Sequence, residues 1–263
     1  MENQLLDGDM LKNGDGKSLS EILTNGYETH STDYIKKGFE IFKQNIGGFL
    51  GFLVLLAVIN VVLSAIPFIG IIGNALIAPI AFGSIIVSKM IDKQETYSFS
   101  NFFDGTKKYK SLFLVSLITS LIIFIIFLVF VGWTYFKMNF LGIGRPSINY
   151  TDMNSMMAYS ANMQMYSSKL GIAGLIVMLI SIFLLFGNFF AYFADFEPLK
   201  ALDTSRKIIG KKFFNWLGFL LLLVLFNFAG ALCLGIGLLV TIPSSMCAMY
   251  VAYEDVVGLN LKD

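Results

Sequence analysis

The sequence predicts an all-α integral membrane protein. It would be a bundle of six transmembrane helices, with amphipathic helices on the cytoplasmic surface before spans 1, 3 and 5. Three observations lead there. Of 263 residues, 56% are hydrophobic and 14% charged, against about 25% charged in soluble domains; the mean hydropathy is +0.72. Apolar runs near the roughly 20 residues that cross a bilayer recur along the chain. Before every second run, apolar residues return at helical spacing among lysines, the pattern of a helix lying on a membrane surface.

Residues 1–32 are polar and acidic, with turn signals at Asn13-Gly14-Asp15-Gly16 and Asn25-Gly26. They lack the basic start and short apolar core of a signal peptide and predict a flexible cytoplasmic tail. The membrane domain is expected over 33–254. Ser31, Thr32 and Asp33 offer helix N-caps. Ile35, Phe39, Phe42 and Ile46 then fall on one side, and Lys36, Lys37, Glu40 and Lys43 elsewhere. Span 1 covers about 46–66, and Pro67 and Gly70 turn the chain into span 2, about 71–91, with Pro79 and Gly83 inside it. Gly47-x-x-x-Gly51 would permit close helix approach.

The next polar stretch carries Phe99, Phe102, Phe103 and Phe113 beside Lys107, Lys108 and Lys110. Span 3 is expected at about 112–134, an outer loop at 135–169 and span 4 at about 170–194. A basic segment follows, with Leu199, Leu202, Ile209 and Phe213 on one side and Lys200, Arg206, Lys207, Lys211 and Lys212 on the rest. Spans 5 and 6 fall at about 213–231 and 238–253, joined through Gly235 and Gly237, and 255–263 is a cytoplasmic tail.

Orientation follows from lysine and arginine, which concentrate on the cytoplasmic side. Sixteen of the nineteen lie in or beside the tails and the loops after spans 2 and 4; Lys137, Arg145 and Lys169 lie in the outer loop. Both termini are therefore expected inside. The first and last hairpins also align. Leu50-Gly51-Phe52 falls on Leu217-Gly218-Phe219 and Asn60 on Asn227; after a three-residue loss, Gly73 falls on Gly237 and Pro79 on Pro243. This suggests a parallel hairpin repeat, with the middle pair as a diverged third copy.

Chemistry-bearing residues are sparse. No ionisable group lies deep in a span, which argues against proton-coupled transport. His30 is the only histidine, and Cys233 and Cys247 are 14 positions apart, about 21 Å along a helix and beyond disulfide reach. No metal, cofactor or catalytic residue is expected. Met138, Met153, Met156, Met157, Met163 and Met165 crowd the outer loop. Thioethers suit Cu(I), but they also fill apolar surfaces, and a short amphipathic helix is the preferred reading there. Asn60, Asn74, Asn188 and Asn227 could line a cavity, hydrogen bonding between helices being the alternative. Anionic lipid contact is expected from Lys36, Lys37, Lys43, Lys107, Lys108 and Lys110, and from Arg206, Lys207, Lys211 and Lys212. Asp92, Asp195 and Glu254 follow spans 2, 4 and 6 and are the acids an enzyme would use.

The run from Phe189 to Leu222, with Ala201 and Ser205 in an Ala-x-x-x-Ser element, resembles poorly characterised bacterial inner-membrane proteins. These are the YciC-like family and the membrane domain of some glycerophosphoryl diester phosphodiesterases. Pro79 to Gly83, Phe102-Phe103 and Tyr253-Glu254-Asp255 fit the same likeness. It implies a six-helix membrane domain in a bacterial cytoplasmic membrane; the soluble phosphodiesterase domain has no counterpart here. The expected role is a non-enzymatic, lipid-contacting scaffold or envelope-homeostasis component, with membrane phospholipids as partners and no nucleic acid. The alternative is a passive transporter or permease component for a small apolar or amphipathic molecule.

Overall fold

The computed structural model describes residues 18–65, 72–139, 152–259 and 261, and all regular structure among them is helical. The helices are α1 (Leu19–Asn25), α2 (Ser31–Gln44), α3 (Ile46–Ser64), α4 (Gly73–Ala81) and α5 (Gly83–Asp92). A 3₁₀ segment (Phe99–Lys108) leads into α6 (Tyr109–Phe127), a π turn (Leu128–Gly132) and α7 (Trp133–Asn139). Then come α8 (Met153–Phe183), α9 (Gly187–Phe193), α10 (Pro198–Lys211), α11 (Phe213–Leu232) and α12 (Leu238–Val257). The described residues form two compact units, 18–117 with 183–261, and 118–182.

In the first unit, α12 is the central element. Its buried residues run from Thr241 to Val257, and α2, α3, α5 and α11 pack on it. The α2 contact is close: a Cβ on Gly38 would sit 2.5 Å from the Ala248 nitrogen. Close packing also joins α5 to the 3₁₀ segment, where a Cβ on Gly83 would overlap the Phe102 carbonyl. Among the described residues nothing packs closely on Gly47-x-x-x-Gly51: a Cβ on Gly47 would meet no atom within 4 Å, and one on Gly51 would meet the Phe99 ring at 3.7 Å. Around Tyr253, the rings of Phe186, Phe189, Phe190 and Phe193 lie with centroids 4.9 to 5.7 Å away.

Helix boundaries repeat where the sequence aligned. α2 and α10 have 14 residues each, and their ends stand 167 positions apart (31 and 198, 44 and 211), as do the starts of α3 and α11 at 46 and 213. The joint residues match too: Asn45 has φ −146°, ψ 54° and Lys212 φ −131°, ψ 45°. Gln94, Asp195 and Gly258, just after α5, α9 and α12, all have positive φ (55°, 54° and 78°).

Five stretches are long and apolar enough to cross a membrane: Ile46–Ser64, Gly73–Asp92, Phe99–Gly132, Met153–Phe193 and Phe213–Leu232. In the second of these, α4 and α5 together, 61% of the tested residues are buried, against 17% in α3. The sixth expected span, now α12, is not among the five. Thr241, Ser244, Ser245 and Tyr250 dilute its apolarity, and neighbouring helices cover it.

Two boundaries are corrected. Residues 18–30 were expected in the flexible tail and are folded. The Ser18 hydroxyl accepts from the Glu21 N–H and the Glu21 carboxylate from the Ser18 N–H, a capping box that starts α1. Ile22 and Tyr27 are buried. The N-cap of α2 is then His30, which makes no side-chain cap bond, rather than Ser31, Thr32 or Asp33. The outer loop expected at 135–169 is helical over 135–139 and 153–169. In the second unit Lys169 donates to the Thr134 hydroxyl at 3.0 Å, and Lys137 stands 5.3 Å over the Trp133 ring. Met153, Met156, Met157 and Met165 are exposed, and Met138 has no described side chain. Pro67, Gly70 and Arg145 lie outside the described residues.

Candidate functional site

Polar chemistry concentrates where α2, α5 and α12 come together. Asp92 ends α5, Lys93 caps it, Lys37 comes from α2, and Tyr250 and Glu254 are one turn apart on α12. Lys37 Nζ lies 2.9 Å from Asp92 Oδ1 and 4.0 Å from Glu254 Oε2, and Lys93 pairs with Glu254 Oε1. The Tyr250 hydroxyl donates to Asp92 Oδ2 at 3.0 Å. Both carboxylate side chains are 11% exposed. Burial and the neighbouring Asp92 carboxylate push the Glu254 carboxyl above its ordinary value, against the pull of Lys93 and Lys37. Two acids, two ammoniums and one phenol thus tie three helices together with their charges matched.

A second constellation adjoins it in sequence. The Tyr34 hydroxyl donates to Asp255 Oδ2 at 2.5 Å, and His30 Nδ1 is 3.4 Å from the same oxygen. Asp255 is buried, and its Oδ1 has no hydrogen-bond partner among the described residues. Burial, with Asp255 beside it, raises the Tyr34 hydroxyl above its ordinary value. The Tyr27 hydroxyl donates to the Ile208 carbonyl and accepts from Trp216 Nε1, both at 2.7 Å. Burial pushes its pKa to about 12, the indole N–H acting the other way. Asn215 Nδ2 donates to the Thr29 hydroxyl at 2.9 Å. These bonds explain why residues 27–34 are held: an amphipathic segment with two tyrosines finds buried partners on α10, α11 and α12.

Of the three acids expected to matter, Asp92 and Glu254 meet, while Asp195 pairs separately with Lys108. Among the described residues no group of three His, Cys, Asp or Glu could hold a metal.

The expected lipid-contact residues divide. Lys37 reaches Asp92 at 2.9 Å. Lys108 pairs with Asp195, donates to the Tyr192 carbonyl at 2.7 Å and stands 5.2 Å over the Tyr192 ring. Lys36 reaches Asp33, Lys107 reaches Asp104, and Arg206 and Lys207 both reach Asp203 at 2.6 Å. Lys43 leans over Phe39, and Lys110 and Lys211 are exposed, with Lys212 half-buried. The apolar face of α10 is also spent: Leu202, Ile208 and Ile209 are buried against protein, and only Leu199 remains exposed.

Three of the four asparagines make local or helix-pair hydrogen bonds. Asn60 donates to the Leu56 carbonyl one turn back at 2.9 Å, and Asn227 repeats this to Leu223 at 2.8 Å. Asn227 also donates to the Ser245 hydroxyl at 2.9 Å, and Asn188 pairs with Ser116 at 3.2 Å. Asn60 and Asn74 are exposed. In a bilayer a free amide is costly; Asn60, Asn188 and Asn227 place their Nδ2 donors locally or across one helix pair, while the buried Asn227 Oδ1 has no partner among the described residues. A cavity of about 330 Å³ lies elsewhere, between α5, the 3₁₀ segment and α9.

Sequence reasoning missed Lys93, Tyr250, Tyr34, the His30–Asp255 contact and this cavity. Only the acids at the span ends gave a signal. No protein-family model matches the chain, nor does any curated protein or solved structure.

Proposed function

We infer that the chain is a six-span protein of a bacterial cytoplasmic membrane, with both termini inside, acting as a non-enzymatic, lipid-contacting scaffold or envelope-homeostasis component. One observation carries the reading. Where a polar helix gives way to a long apolar one, an exposed lysine stands beside exposed large apolar side chains. Lys43 has Phe39 and Ile46 before α3. Lys110 has Tyr109 at the start of α6, and Lys211 has Phe214 at the start of α11. Lysine and aromatic residues anchor helices at the membrane interface, and each lysine near anionic lipid contributes about 1 kcal/mol. A sixth crossing by α12 over about 238–253 is supported by the cover that other helices give its polar groups.

The amphipathic segments keep little apolar surface for lipid, so the contact narrows from whole helices to these three collars. Native mass spectrometry of the protein released with its membrane tests this. Graded anionic-lipid adducts are expected, reduced severalfold when Lys43, Lys110 and Lys211 become Gln. Neutralising Arg206 and Lys207, already shared with Asp203, should change retention little. Equal retention in all variants would overturn the reading. A discrete non-lipid mass, lost in Asn60→Ala/Asn227→Ala, would favour the passive transporter instead.

A further inference from the structure

The cavity of about 330 Å³ is at the small end of ligand pockets, which run about 300–1,000 Å³. Its wall has two halves. Ile86 and Met90 from α5, Phe193 from α9 and Leu259 beyond α12 are apolar. Lys89, Glu95, Asp104 and Tyr192 are polar. The wall itself carries two carboxylates and one ammonium, and each carboxylate has a lysine partner that a ligand would have to displace or share: Lys89 Nζ is 2.6 Å from Glu95 Oε1. Asp104 is positioned by groups of its own segment, accepting from Asn101 Nδ2 at 2.9 Å and lying 2.8 Å from the largely exposed Lys107. Tyr192 already takes a cation against its ring, the Lys108 ammonium at 5.2 Å.

We propose that this cavity binds a primary organic ammonium carried on an apolar body. A primary ammonium offers three N–H donors, which Asp104 and Glu95 accept. The Tyr192 ring adds a cation–π contact, and Ile86, Met90, Phe193 and Leu259 cover the apolar body. In this arrangement Lys89 is a tethered competitor, a primary ammonium on an alkyl stem that occupies Glu95 when no ligand is present. The same chemistry comes from two sources, the ethanolamine head of a phospholipid or a free alkylamine. The site shares no residue with the three basic collars and prefers the opposite ligand charge, so either can fail without the other.

The test uses the full chain in phosphatidylcholine nanodiscs, titrated with n-hexylammonium chloride by calorimetry. A parallel arm compares retained lipid by native mass spectrometry between phosphatidylethanolamine and phosphatidylcholine discs. One saturable site is expected in at least one arm. Asp104→Asn should weaken it about tenfold, as loss of a charged hydrogen bond does. Lys89→Gln should tighten it severalfold, because Glu95 is released, and this gain also serves should Asp104→Asn fold poorly. Asp203→Asn, an exposed acid on α10, should leave it unchanged. Saturation with hexylammonium supports a free amine as sufficient; selective retention of phosphatidylethanolamine alone supports the headgroup. Non-saturable partitioning in the first arm with no lipid preference in the second overturns the proposal, as does a loss of binding in Lys89→Gln.

Discussion

Asp92 and Lys93 at the end of α5 and Glu254 near the end of α12 form their ion pairs with one another and with Lys37 from the middle of α2. Each charge is answered and the two carboxylates are largely buried. Such a cluster is sensitive to the removal of one member, because the partner is left buried and unpaired. Glu254 also makes it pH-dependent. Its carboxyl is raised above the ordinary 4.5 by burial and by Asp92. A folded pKa above the unfolded one means the folded state binds the proton more tightly. The stabilisation is thus complete below the ordinary carboxylate value and is lost as pH rises through the folded one. In thermal melts of the reconstituted protein, the Tm of wild type relative to Glu254→Gln should fall as pH is raised from 4.5 through the Glu254 titration. A constant difference would show that the carboxyl is not raised. The acids themselves were visible in the sequence as punctuation after spans. Their lysines were not, because Lys37 reads as one of several basic residues on a surface helix until α12 is laid against it.

The α2–α12 contact is where helix geometry matters most. Gly38 lets the two backbones approach, and a methyl there meets the Ala248 nitrogen at 2.5 Å. Gly38→Ala should destabilise the protein by about 1–3 kcal/mol, the usual cost of overpacking. Gly47→Ala, on α3 with nothing within 4 Å, should be neutral or stabilising by up to about 1 kcal/mol, since alanine is the better helix former. Unfolding in denaturant at fixed detergent compares the two; equal effects would remove the close contact. The sequence pointed to Gly47 and Gly51 because their spacing is recognisable. Gly38 carries no such pattern, and its role depends on a partner 210 positions away (38 and 248). The paired boundaries of α2 with α10 and of α3 with α11 were legible, since each is set by local composition: a basic amphipathic run, a single break, then an uncharged run. The first helix was readable too, from Ser18 and Glu21, yet the polar surroundings suggested a tail.

For the whole chain, the crossing number is decided at α12. Cys233 follows α11 and is exposed, whereas Cys247 is buried in α12. With six crossings and both termini inside, a membrane-impermeant maleimide applied to intact spheroplasts should label Cys233. A cysteine appended after Asp263 should react only after permeabilisation. Labelling of both from outside would mean that α12 does not cross and that five crossings are complete. Labelling of the appended cysteine alone would invert the orientation.

Run length, charge placement and helical period are local properties, and from them the sequence by itself determined the membrane class, most of the helical segments and the matching boundaries of α2 with α10 and of α3 with α11. It could not separate burial against lipid from burial against protein, because both ask for the same apolar side chains. Only the tertiary structure decided that the apolar face of α10 is covered by protein, that Lys37 and Lys93 meet two acids, and that residues 18–30 pack under α10. It alone drew Lys89, Glu95, Asp104 and Tyr192 around one cavity, since those four come from three separate stretches of chain and become neighbours only when the helices close.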